Sequence, residues 1–112
     1  MIKKMSLRYV MADNSRSCTV SVSYTMQKEG NTLSLHCYIE ATYPAQLPWL
    51  QTRNFICRFR KKEDVYHPVA SGADYEKTID AAMLTDKTAM AIMQRESIKV
   101  TGSLTAFELS AA

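Results

Sequence analysis

SCTVSVSYTMQKEGNTLSLHCYIEATY, residues 17–43, is two alternating runs joined by a turn. In the first run Cys18, Val20, Val22, Tyr24 and Met26 alternate with Ser17, Thr19, Ser21, Ser23, Thr25 and Gln27. In the second, Leu33, Leu35, Cys37, Ile39, Ala41 and Tyr43 alternate with Thr32, Ser34, His36, Tyr38, Glu40 and Thr42. A period of two marks a strand with one face in a core and one in water. KEGN between the runs supplies turn chemistry, so the two strands form a hairpin.

A Glu29-Gly30 loop sets Met26 against Leu33, Tyr24 against Leu35, Val22 against Cys37 and Val20 against Ile39. Every inward residue then meets an inward residue. A slip of two residues keeps that match, whereas a slip of one sets serine against leucine throughout, so the facing is better determined than the loop. Neither even register brings Cys18 opposite Cys37, which argues against a bridge between them.

Working outward, Met5, Leu7, Tyr9 and Met11 alternate with Ser6, Arg8 and Val10, and DNSR supplies a turn before the hairpin. That makes a three-stranded meander. YPAQLPW interrupts it, because Pro44 and Pro48 do not fit a central ladder. RNFICRFRKK resumes the alternation with Phe55, Cys57 and Phe59 inward and Asn54, Ile56, Arg58, Arg60 and Lys62 outward. DVYHPVAS reads as a loop, approaching a helix or rimming a site, in which Pro68 biases His67 to an extended conformation.

From Ser71 the period lengthens: Tyr75, Ile79, Ala82, Met83, Met90 and Met93 follow a 3.6-residue repeat, and SGAD offers a serine N-cap. LTDKT in the middle could cap a second helix at Thr85 or Asp86, so one long or two short helices fit. SIKVTGSLTAFEL reads as a last strand with a bulge near Gly102. The expected fold is α+β: a two-layer sandwich with a mainly antiparallel sheet of about five strands, order βββ-β-α-β, and the helical segment on one face. Residues 1–112 form a single domain, long enough to bury a core without staples.

Composition narrows the function classes. Apolar residues make up 46% and charged residues 22%, ordinary globular values far from the disordered class. No apolar run reaches membrane-span length, and MIKKMSLRYVM lacks a signal-peptide core, so a soluble, cytoplasmic protein is expected. Three cysteines without a CxxC pair suggest reduced core thiols and no zinc site. No metal or other cofactor is expected. A formal charge of +3 permits an anionic partner without demanding one.

The outward column His36, Tyr38, Glu40 is the first candidate site. Histidine and glutamate with nearby arginines are the parts of a ribonuclease-like enzyme, a base and an acid with cations for the phosphorane. Tyr38 stands between them, and alternate residues lie roughly 6.5 to 7 Å apart at the backbone, so a hydrated sheet surface explains the pattern as well. The second candidate is RFRKK, whose Arg58, Arg60 and Lys62 make a cationic stripe for phosphates or nucleic acid, with Tyr38 or Tyr66 as a stacking surface. Its competitor is the guarding of an edge strand by charge. The third is Trp49, an aromatic between prolines, which anchors a partner or caps the core.

Met83, Met90 and Met93 read as core filler. A surplus apolar edge through Leu84 or Ile92 would bury itself in a second copy, and a homodimer is the expected assembly. With no nucleophile elbow, phosphate-cradling glycine loop or metal cluster, the leading expectation is a non-enzymatic accessory or inhibitor protein. It would act through the open sheet face and loops on a protein or a phosphorylated small molecule. The size suits small proteins of phages and other mobile elements. Nucleic-acid binding by the stripe and catalysis by His36 and Glu40 are the alternatives.

Overall fold

The structure, a computed structural model, describes residues 1–41, 52–69 and 79–101. Five strands run β1 (Lys3–Val10), β2 (Ser17–Glu29), β3 (Thr32–Ala41), β4 (Thr52–Lys62) and β5 (Val65–Val69), followed by helix α1 (Ile79–Arg95). The strands pair in chain order as one curled antiparallel sheet, so β3 lies at its centre with β4 beside it. The alternating residues divide as expected. Val20, Val22, Tyr24, Leu33, Leu35, Cys37, Ile39, Phe55, Cys57 and Phe59 are buried in one cluster, and their neighbours face away from it.

The hairpin turn is shifted by one residue from the expected loop. Glu29 pairs with Thr32 around Gly30-Asn31, which places Met26 opposite Leu35, Tyr24 opposite Cys37 and Val22 opposite Ile39. Gly30 takes φ +58°, the left-handed value that a II′-type turn requires at its first central position and that glycine adopts without strain. The slip is an even one, so every side chain keeps its face.

DVYHPVAS is a strand over Val65–Val69, where the sequence suggested a loop. Glu63 and Asp64, both at positive φ, make a two-residue turn that returns the chain onto β4. Proline is tolerated because Pro68 sits on the outermost named strand with Phe59 opposite. Counting from the turn, Tyr66 and Pro68 direct their backbone polar groups away from β4. On that side Tyr66 pairs with the segment after the helix: its N–H reaches the Lys99 carbonyl and its carbonyl accepts from Thr101 N–H, both at 3.0 Å. Pro68 has no N–H with which to continue such pairing. Val100 accordingly makes an isolated parallel bridge to Tyr66, and the rest of the expected last strand, from Gly102, lies outside the described residues.

Helix α1 is continuous through LTDKT, so no second cap forms at Thr85 or Asp86. It buries Leu84, Thr85, Thr88, Ala89, Ile92 and Met93, while Met83 and Met90 are half-buried at the margin of the core. The buried stripe is thus rotated from the methionine pattern. Leu84 and Ile92 are 0% exposed, so neither offers the surplus edge on which a second copy was expected to dock. The expected N-cap at Ser71, Tyr75, and the YPAQLPW loop lie outside the described residues.

The helix end is built in detail. Ile98 N–H bonds the Met93 carbonyl at 2.9 Å, Ser97 N–H bonds the Gln94 carbonyl at 3.1 Å, and Ser97 has φ +58°. That is a Schellman cap, with Ile98 packed against the core as its apolar contact. Glu96 then ties helix to sheet. Its carboxylate accepts from Lys3 Nζ at 2.8 and 3.0 Å and from the hydroxyl of buried Tyr24 at 2.8 Å, while Arg95 Nη1 donates to the Lys4 carbonyl at 2.8 Å. Among the described residues no helix is long and apolar enough to cross a membrane.

Candidate ligand-binding face

The buried helix residues join the same cluster as the inward strand residues, so α1 lies against the inner side of the sheet. No described element covers the outer side. Its rungs follow from the pairing: Ser23, Tyr38 and Asn54 form one, Thr25, His36 and Ile56 the next, and then come Ser34 with Arg58 and Thr32 with Arg60. β5 adds Val69 beside Arg58 and His67 beside Arg60. On the other flank Lys4 pairs with Ser23, extending the Tyr38 rung to β1.

Tyr38 is 37% exposed, a large figure for an aromatic on a central strand. It borders an open depression of about 170 Å³ with Ile2, Ser23, Thr25, His36 and Asn54. A second depression of about 270 Å³ lies over His36, Asn54 and Ile56. His36 and Asn54 line both, so the two hollows meet on the central rungs.

Arg58, Arg60 and Lys62 share this outer face and are exposed. They do not stand beside His36 and Tyr38. Arg58 is the diagonal neighbour of His36, one rung on, and Arg60 is a rung further. Diagonal positions lie roughly 7 to 8 Å apart, within reach of an arginine side chain. The strand that carries them is interior, flanked by β3 and β5. Edge guarding therefore does not explain the stripe. Across the ladder the cations face Ser34, Thr32, Val69, His67 and Val65, with no carboxylate opposite, and none of their side chains makes an ion pair or hydrogen bond with a described residue.

His36 and Glu40 share the face as expected, but neither side chain bonds the other or any described residue. Tyr38 separates them. Trp49 lies outside the described residues. Sequence reading placed Asn54 outward and His67 in a loop that approaches a helix or rims a site, but it did not single out Lys4, which strand parity alone could have found. The strand that carries His67 was hidden by the proline beside it. Arg8, also outward, is already engaged: its Nε and Nη2 donate to Ser17 Oγ at 3.2 and 3.1 Å.

The thiols lie on the inner side. Burial pushes the Cys37 thiol well above its ordinary range, with neighbouring Cys57 adding to the effect, so it stays protonated and a poor nucleophile. Among the described residues no group of three or more histidine, cysteine, aspartate or glutamate side chains could hold a metal ion. Comparison of the chain with protein-family models, with curated proteins and with solved structures found no match in any of the three.

Proposed function

We propose that this chain is a small non-enzymatic binding module, in which the helix and sheet form two layers and the uncovered sheet face takes a phosphate-bearing ligand. The observation that carries the reading is the position of Arg58, Arg60 and Lys62 on an interior strand without a carboxylate opposite. Guanidinium groups present a planar fork of donors that suits phosphate oxygens, and these donors are not committed to any described residue. A histidine and an asparagine between the hollows add further polar groups for orientation. The ribonuclease-like alternative draws no such support, since His36 and Glu40 are not coupled.

Amide chemical shifts followed during titration with pyrophosphate and with uridine monophosphate check the proposal. Perturbations are expected on Ser34, Arg58, Arg60 and His67, and Arg58→Ala with Arg60→Ala should abolish them. If neither these probes nor any oligonucleotide perturbs the face, the proposal fails.

A further inference from the structure

Granted that this face binds phosphate groups, we infer that its ligand is a single-stranded nucleic acid laid obliquely over the sheet, with a base stacked on Tyr38 and backbone phosphates held by Arg58, Arg60 and Lys62. Charge favours it. The described outer face carries Lys4, Arg8, Arg58, Arg60 and Lys62 against Glu29 and Glu40, so the net sign is positive in a chain of only modest overall charge. The floor between the cations is built from small hydroxyl residues, among them Ser21, Ser23, Thr25 and Ser34, above which Tyr38 protrudes.

Length separates a polymer from a mononucleotide. The Tyr38 rung and the Arg60 rung are six residues apart on β3, between Tyr38 and Thr32. At about 3.3 Å per residue they stand roughly 20 Å apart, further than one nucleotide reaches. A stacked strand rises about 3.4 Å per nucleotide along its axis, so that gap corresponds to about six nucleotides, or fewer if the strand is stretched. Such a length falls within the span of known single-strand sites.

Width separates a single strand from a duplex. Five strands at about 4.8 Å spacing make a surface about 19 Å across, too broad to enter a major groove about 12 Å wide. An exposed phenol can stack only on a base that is not already stacked in a helix. Unpaired bases meet that requirement.

The test is fluorescence anisotropy of the whole chain with labelled dodecamers of uridine and of deoxythymidine. Unlabelled uridine monophosphate, a 12-base-pair duplex and polyglutamate serve as competitors. At least one dodecamer should bind tenfold or more tighter than each competitor, and the two arms show whether RNA or DNA is preferred. Binding should weaken with salt, and Arg58→Ala with Arg60→Ala should lower the logarithmic salt slope by about 1.4, or about 0.7 per lost charge. Tyr38→Ala should weaken binding by about fivefold or more, and Tyr38→Phe should keep it. These side chains are exposed, and circular dichroism confirms that each variant folds.

Dodecamers no tighter than uridine monophosphate would overturn the single-strand inference and leave phosphate binding standing. Equal affinity for duplex, or full affinity in Tyr38→Ala, would overturn it too. Equal competition by polyglutamate would make an acidic protein the occupant. Absence of binding to every phosphate-bearing probe would sink this inference and the proposed function together.

Discussion

Thr88 is 0% exposed, and its hydroxyl oxygen is buried without a hydrogen-bond partner among the described residues. A buried hydroxyl that loses water and gains nothing costs about 1 to 3 kcal/mol. Thr88→Val keeps the branched shape while removing that oxygen, so it is expected to raise stability by about 1 kcal/mol. Thr85, almost as deep, does have a partner, so the same change there should lower stability. Urea unfolding of the two variants decides, and destabilisation by Thr88→Val would show that the hydroxyl is satisfied in solution. Neither threonine was legible as a core residue, because periodicity weights side chains by hydropathy and both count as polar. The same weighting drew attention to Met83 and Met90, whose long side chains reach the core from its margin. Leu84, Ala89 and Ile92 occupy its centre.

At the scale of elements, strict alternation in β2 and β3 determined which side chains face the core, and the face survived an even slip in register. The turn was less legible than the strands, because KEGN offers more than one pair of central residues and glycine fits several of them. β5 was missed for a physical reason. Proline argues against a strand in general, but not where its nitrogen points away from the neighbouring ladder. Two tight connections hold residues that bear a steric cost. Asp64 has φ +67° in the β4–β5 turn, and Ser97 has φ +58° in the helix cap. Left-handed backbone costs a residue with a Cβ about 1 to 2 kcal/mol, offset in part by the larger unfolded-state entropy of glycine. Ser97→Gly and Asp64→Gly are each expected to stabilise by about 0.5 to 1 kcal/mol, read as a higher urea midpoint at unchanged slope. A fall in midpoint for Ser97→Gly would mean that the Schellman geometry does not persist in solution.

At the scale of the whole molecule, contacts distant in sequence matter most, and no local pattern announces them. The sequence showed a helix and a sheet. It did not show that Glu96, just past the helix, would meet Lys3 at the start of β1 and Tyr24 in the core. Those contacts give the fold a pH dependence whose sign follows from the carboxylate. Hydrogen bonds from Lys3 and then Tyr24 hold Glu96 below its ordinary value near 4.5, against a smaller opposing effect of burial. The folded state therefore releases this proton more readily than the unfolded chain. Glu96 contributes stability that is complete above about pH 4.5 and disappears as pH falls through its lower folded value. Asp13 is also lowered, from 3.8, by its hydrogen bonds with Ser15, so acid sensitivity should have two separable sources. Melting temperatures measured from pH 7 down to pH 2 should fall less steeply below pH 4.5 for Glu96→Gln than for the parent, starting from a lower value at neutral pH. Asp13→Asn should leave the Glu96 component in place. Parallel melting curves for parent and Glu96→Gln across the whole range would show that the helix end is not held to β1 by this carboxylate.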